Sequence, residues 1–393
     1  MLRIAFHTPL KPLDHPVPSG DRAMARALAG LLQRLGHTVR PVDSYTAGGA
    51  VTPMKPDTLP GLQGHAHSRA ETLIKSWQRL SAGDPQRPTT WFSYHVWYKR
   101  PDWLGPAVAR ALDIPYVIAE ASYAPKRAGG PWDLGHRATA DAVHAADLVL
   151  TLNPDDAPCL RPLLAAPEVM TLVPPFLDAA PFYMAGAERA RHRAALRQRF
   201  DWPSGTPVLL AVAMMRPPDK LASYRVLAEA LQSVLDRDWR LLVVGDGEAR
   251  AEVERLVAPL AGRVGFAGAL PAEALPSYYA GADLYVWPAI NEAYGISLLE
   301  AQAAGLPVIA GRTRGVPAVV ADGQTGLLPP LGDAAAFAAA IRILLDDPDR
   351  RVAMGRAAVQ RIAREHDLGA ATRHVGGALD AMLARRAARA TVQ

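Results

Sequence analysis

Short apolar runs alternate with amphipathic stretches along the chain. In the first half, Leu2–His7, Trp91–Trp97, Tyr116–Ala119, Leu148–Leu152 and Met170–Val173 have the length and composition of buried strands. Between them lie helical patterns. Arg22–Leu35 carries apolar residues at Met24, Ala27, Leu28, Leu31, Leu32 and Leu35, and stops at Gly36 before a strand at Thr38-Val39. Further helices are predicted over Ser68–Leu80, Ala107–Leu112, Arg137–Ala146 and Asp155–Leu164, with a Gly/Pro/Thr-rich surface loop over Ala47–Gly64. The second half repeats the rhythm. Strands are predicted at Val208–Ala213, Trp239–Val244, Val264–Ala267, Leu284–Trp287 and Val308–Ala310. Helices are predicted at Glu188–Phe200, Ala222–Leu235 and Ile296–Ala304, then Asp333–Leu345, Asp349–Ile362 and a last one reaching about Arg386. The tail from Arg385 to Arg389 is basic and is expected to fray. Strands alternating with helices predict an α/β fold with parallel sheets.

At 393 residues the chain exceeds one ordinary core and predicts two domains. Half of it is apolar and 21% is charged, which is the balance of a soluble globular protein. The net charge of +5 suits an anionic ligand or an anionic membrane surface. It does not call for nucleic acid, and there is no aromatic-interleaved basic array. A single cysteine, Cys159, excludes an internal disulfide and offers no metal cluster; a buried structural thiol is expected. The N-terminal run is too short for a signal sequence, and no stretch approaches a membrane span. The expected location is the cytoplasm, with peripheral contact at the inner membrane face left open.

The chemistry concentrates between Asp283 and Pro330. A strand ends at Pro288, a loop carries Glu292, Tyr294 and Gly295, and a helix beginning at Ile296 carries Glu300. In open α/β sheets, ligands bind at strand C-termini and helix N-termini, where these two acids lie. Each has a plainer reading. Ser297 and Glu300 have capping-box spacing, and Glu292 could be a solvated loop acid. Elsewhere, Gly245-Asp246-Gly247 is not followed by the third glycine of a dinucleotide fingerprint, since Arg250 stands there, which argues against a nicotinamide dehydrogenase.

Glu292 and Glu300, with seven residues between them, precede Gly305-Leu306-Pro307-Val308, Gly315-Val316-Pro317 and Asp322–Leu328. This pattern resembles the retaining nucleotide-sugar glycosyltransferases of family 4. The resemblance implies the GT-B fold: two Rossmann-like, doubly wound parallel-sheet domains facing a central cleft. It implies an acceptor domain over residues 1–175, joined by the C-terminal helix at about 370–390, and a donor domain over 176–369. The crossing is marked by a strand, Pro174-Pro175, Asp178 and Phe182, placing the boundary near Val173 to Asp178. It further implies a hexosyl or related transferase that moves a sugar from a nucleoside-diphosphate sugar to a glycan, lipid or small-molecule acceptor with retention. No metal or other cofactor is expected. Alternatives are a relative that epimerises or hydrolyses a sugar nucleotide, or a non-catalytic nucleotide-sugar-binding protein.

Residue by residue, the resemblance assigns Glu292 to hydroxyls of the transferred sugar and Glu300 to the ribose. Arg216 and Lys220, expected in one strand-exit loop, would clamp the diphosphate, whose charge grows as the glycosidic bond breaks. Tyr294, Gly295 and Ile296 would add backbone amides. Gly20, Gly245, Gly268 and Leu270 would line the donor. On the acceptor side stand His95, Glu120, Ser122, Tyr123, Lys126 and Arg127. Family members often place a histidine where this chain has Glu120, so His95 or Glu120 is left to face the anomeric carbon. Solvated loop charge is the plainer reading of Lys126-Arg127. Tyr278 and Tyr279 read as core.

Overall fold

The chain is described from a computed structural model, which covers residues 1–16, 19–42, 54–260, 262–293 and 295–392. Tyr294, named above as a backbone donor, and residues 47–53 of the expected loop lie outside the described residues.

Residues 1–173 and 371–393 form one compact unit, and residues 174–370 form another. The first contains β1 (Arg3–His7), α1 (Gly20–Arg34), β2 (Thr38–Val42), α2 (Leu59–Gln78), β3 (Thr90–Trp97), α3 (Leu104–Leu112), β4 (Tyr116–Ser122), α4 (Asp133–Ala145), β5 (Leu148–Thr151), α5 (Ala157–Leu160) and β6 (Met170–Leu172). All strand pairs are parallel and the sheet order is β2-β1-β3-β4-β5-β6. Apolar runs such as Trp91-Phe92 and Val117-Ile118 are buried between helical layers, as a parallel sheet covered on both faces demands. Two expectations are corrected here. Helix α2 begins at Leu59, inside the segment expected to be loop; Pro60 fits its first turn, where a missing N–H costs nothing. The segment Asp155–Leu164 is not one helix but short turns around α5, broken by prolines at 154, 158 and 162. Cys159 in it is half-buried rather than buried.

The second unit contains α6 (Ala180–Ala187), α7 (Arg189–Phe200), β7 (Val208–Val212), α8 (Asp219–Gln232), β8 (Arg240–Val244), α9 (Arg250–Val257), β9 (Val264–Gly268), α10 (Leu275–Gly281), β10 (Leu284–Trp287), α11 (Ile296–Ala303), β11 (Val308–Ala310), α12 (Val316–Val319), β12 (Gly326–Leu327), α13 (Ala334–Asp346) and α14 (Pro348–Arg361). Its strands are again all parallel, ordered β12-β11-β10-β7-β8-β9. Successive strands run outward in both directions from the β7–β10 pair. That is the doubly wound arrangement, and its reversal point opens a crevice beyond the C-terminal ends of β7 and β10. In the first sheet the reversal falls between β1 and β3.

The last helix, α15 (Leu368–Val392), belongs to the first unit from Ala371 onward. Its basic end is not frayed. Arg386 donates to the Asp147 carboxylate at 3.0 Å and to Asp113 at 2.8 Å, so a charge expected to be loose ties the helix to the segments that lead into β4 and β5. Among the described residues no helix is long and apolar enough to cross a membrane.

Candidate functional site

The reversal point of the second sheet collects the predicted donor residues. After β7 the chain turns through Arg216, whose side chain is exposed, and a cis Pro217-Pro218 bond into α8. Lys220, expected in that loop, lies instead in the first turn of α8, because the helix starts at Asp219. Its ammonium is hydrogen-bonded to the carboxylate of Glu292, which arrives on the loop after β10, and lies 5.6 Å from the centre of the Trp287 ring. Glu292 is thus not the solvated loop acid of the plainer reading; each side chain of the pair is only one-fifth exposed.

The loop carrying Glu292 is held on three sides. Ile290 N–H donates to Ser223 at 2.9 Å, Asn291 donates to Asp219 at 2.9 Å, and Gly315 N–H donates to the Ala293 carbonyl at 2.8 Å. Ala289 and Asn291 take left-handed backbone angles within it, φ 58 and 55°. Such conformations persist only where surrounding contacts fix them, and they gather at binding loops. Gly295, with φ 71°, then starts α11, where an added Cβ would press on Leu298 and on Glu292 itself. Only glycine brings the backbone this close to the acid. Ile296, half-buried, is the first residue of α11.

Glu300 sits more than a turn into α11 and accepts a 2.7 Å hydrogen bond from the Tyr279 hydroxyl. It cannot form a capping box with Ser297, since Gly295 is the N-cap and Ser297 lies inside the helix. Burial raises the Glu300 carboxyl, with Tyr279 opposing in part. The Tyr279 phenol in turn is held well above its usual range by burial and by the neighbouring carboxylate. Tyr279 was read as core, and it is fully buried. Its hydroxyl contact with Glu300 had no signal in the sequence, because residues 21 apart on separate helices share no spacing rule.

Gly245, Gly247 and Gly268 form the floor beside Arg216. Gly245 and Gly247 have φ of 137 and 153°, and a side chain on either would overlap the backbone carbonyl of Ala213 or Met215. Gly245 N–H donates to the Gly268 carbonyl at 2.8 Å. Leu270 packs against the core from the following loop.

The acceptor-side residues belong to the first unit. His95 and Glu120 were expected at or beyond strand ends. Both lie inside strands, opposite each other in the register of β3 and β4, which pairs Tyr94 with Ala119 and Val96 with Ala121. Both adopt left-handed angles, φ 61 and 60°, so the two neighbouring strands kink together. The kink aims His95 at Asp21, in the first turn of α1, which binds its Nδ1. This meeting is at the reversal point of the first sheet. Burial would lower the His95 pKa, but the charge of Glu120, the Asp21 hydrogen bond and charge, and Asp156 outweigh it and hold it at about 9. Burial raises Glu120, with His95 and a hydrogen bond from Tyr94 opposing. The buried Glu120 Oε2 has no hydrogen-bond partner among the described residues. Ser122 joins the group by donating to Asp156 at 3.1 Å. Asp21 and Asp156 were missed from sequence. Asp21 does follow Gly20 at a helix start, the one signal that could have found it.

Other named residues go elsewhere. Tyr123 stacks on His136, with ring centres 4.3 Å apart. Arg127 lies over the Tyr98 ring at 5.1 Å, and Lys126 is exposed beside it. Gly20 is the first residue of α1, capped by Ser19, and a Cβ there would meet open space.

A family model described as glycosyl transferases group 1 matches residues 206–347. A D-inositol 3-phosphate glycosyltransferase of Acidothermus cellulolyticus is 31% identical over 379 residues, covering 91% of this chain and 80% of the relative. One of the same description from Corynebacterium efficiens is 35% identical over 206 residues; the match takes in 50% of this chain and spans about half, 47%, of that relative's length. Among solved structures, sucrose-phosphate synthase from Thermosynechococcus elongatus superposes with a TM-score of 0.72 at 20% identity, covering 98% of this chain and 100% of the other. That likeness carries the GT-B fold.

Proposed function

This chain belongs to the group 1 glycosyltransferases, family 4, and from that premise we propose that it transfers a sugar from a nucleoside-diphosphate sugar to a hydroxyl acceptor with retention at the anomeric carbon. The observation that carries the reading is the meeting of Lys220 and Glu292 at the reversal point of the second sheet, with Arg216 on the same side of β7. Ligands of doubly wound sheets bind at such a point.

Arg216 and Lys220 hold the diphosphate. Negative charge builds on it as the bond to the sugar breaks, so two fixed cations lower the transition state more than the ground state. The N–H groups of Gly295 and Ile296, at the start of α11, add donors to the same anion, and the resemblance assigns the Tyr294 amide to it as well. Glu292, oriented by Lys220, accepts from hydroxyls of the transferred sugar. Glu300, oriented by Tyr279, takes the ribose hydroxyls. Backbone groups between Gly268 and Leu270 take the base, with Gly245 at their side, and Gly20 leaves space at the head of α1. The cations make a metal unnecessary in this reading, and no other cofactor enters.

His95 and Glu120 serve the acceptor side, with Ser122 through Asp156; Tyr123, Lys126 and Arg127 border it. Three carboxylates, Asp21, Glu120 and Asp156, surround one imidazole. Even with Glu120 protonated the group is net negative, so it suits a neutral hydroxyl of a glycan, lipid or small molecule better than a phosphorylated one. The reading keeps the protein at the cytoplasmic side, free or at the inner membrane face.

Calorimetric titration with UDP, GDP and ADP, first in EDTA and then without it in the presence of magnesium, tests the donor half. One of them should bind, and Arg216→Ala with Lys220→Ala should weaken it by about tenfold or more, the usual worth of charge-assisted bonds to phosphate. Unchanged affinity removes the clamp, and binding that appears only without EDTA removes the metal-free reading.

A further inference from the structure

At the opposite, N-terminal ends of β10 and β11 lies a cavity of about 680 Å³. It is lined by Asp283, just before β10, by Pro307, just before β11, by the end of α11 and by one face of α14. Strand β10 separates it from the Glu292 loop by about 13 Å at the usual rise per residue. It therefore belongs to neither of the groups described above. Its volume falls in the range of small-molecule sites, about 300–1,000 Å³.

Four guanidiniums line it, those of Arg189, Arg193, Arg351 and Arg356, against the single carboxylate of Asp283. Part of this charge has a structural task. Arg189 donates to the Ala282 and Ala304 carbonyls at 2.8 and 2.6 Å, closing the ends of α10 and α11. Arg351 donates to the Leu344 and Leu345 carbonyls at the end of α13. Arg193 pairs with Asp283. These bonds do not exhaust the donors. A guanidinium has five N–H groups, so Arg189 and Arg351 each keep three beyond the bonds just named. The Nε of Arg193 is buried with no partner among the described residues. Arg356 stands exposed at the rim. Burial and the like charge of Arg193 both lower the pKa of Arg189, and burial lowers that of Arg351. The carbonyls thus hold cations in place at a wall where their charge is only partly matched. The rest of the wall is mostly apolar, including Ala303, Val352 and Val359, with the Tyr183 side chain beside them.

We propose that this cavity binds a small organic anion, its phosphate or carboxylate group on the arginines and its apolar body along α14. Planar guanidiniums fixed by other bonds present donor pairs to an oxyanion at little entropic cost. The site is separate from the sugar-nucleotide reading and does not depend on it.

Phenyl phosphate is the probe, with phenol as the same body without charge. Calorimetry on the full chain should show phenyl phosphate binding and no phenol binding. Arg356→Glu should weaken it about tenfold or more, and Arg356→Lys less. Val352, 54% exposed on the same face, gives a second variant that the fold tolerates, and Val352→Asp should weaken binding alike. Arg216→Ala with Lys220→Ala should leave the affinity unchanged. The proposal is overturned if phenyl phosphate does not bind, if phenol binds as well, if both acidic variants bind normally, or if only the Arg216/Lys220 variant loses binding.

Discussion

At the reversal point of the second sheet a helix-start cation, Lys220, meets a loop acid, Glu292; at that of the first sheet a helix-start acid, Asp21, meets a strand imidazole, His95. The topology supplies the same thing twice, a crevice at strand C-termini into which the next helix points its first turn. The side chains placed there differ in sign. In the second unit Lys220 meets Glu292, and Arg216 stands exposed on the loop after β7. In the first unit carboxylates outnumber the imidazole, and a proton is held tightly among them. Under the proposed transfer, the second unit's crevice takes the anionic donor and the first unit's takes the acceptor hydroxyl.

The contrast is broken hardest at Glu292. Glu292→Ala should lower turnover about a hundredfold or more, in line with losing a fixed polar group aimed at the reacting centre. Its unfolding midpoint should also fall, because Lys220, only one-fifth exposed, is left without its partner. Steady-state kinetics beside a urea titration decide this; near-normal turnover removes Glu292 from the chemistry. A smaller effect is expected across the first crevice. His95 and Glu120 both hold protons more tightly folded than unfolded, so folding takes up protons and stability falls as pH rises. The His95 part is complete below its unfolded value of 6.5 and is lost as pH passes about 9. Asp21→Asn removes a partner of the charged ring, costing about 1 kcal/mol at low pH and little above that window. Melting curves across the window would show the variant and parent converging; parallel curves would remove the pairing. An effect of similar size, about 1 kcal/mol at neutral pH, is expected at Tyr279→Phe, from a buried carboxyl left one donor short. Chemical denaturation measures it, and an unchanged midpoint means Glu300 finds another partner.

The alternation of strand and helix was legible because apolar runs bounded by Gly and Pro have few other fates. The donor acids were legible for a related reason: Glu292 and Glu300 flank a single helix start, so one short stretch carries both. What escaped notice depends on distance along the chain. Asp21 meets His95 across 74 positions, and Tyr279 meets Glu300 across two helices. The paired kink of β3 and β4 was hidden too, since neither His95 nor Glu120 is a residue that announces a left-handed angle. The resemblance put Lys220 in the strand-exit loop, but a proline just before a helix start is well tolerated, and α8 begins at Asp219.

The glycines at 245 and 247 have a consequence for redesign. Beside them the loop after β7 is tied to the loop after β8 backbone to backbone, Met215 N–H to the Asp246 carbonyl and Ala249 N–H to the Met215 carbonyl, each at 2.9 Å. A Cβ at either glycine would meet the Ala213 or the Met215 carbonyl. Libraries aimed at a new donor could therefore vary Leu270 or the residues around Glu292 while Arg216 kept its aim, whereas randomising either glycine would sample mostly misfolded chains.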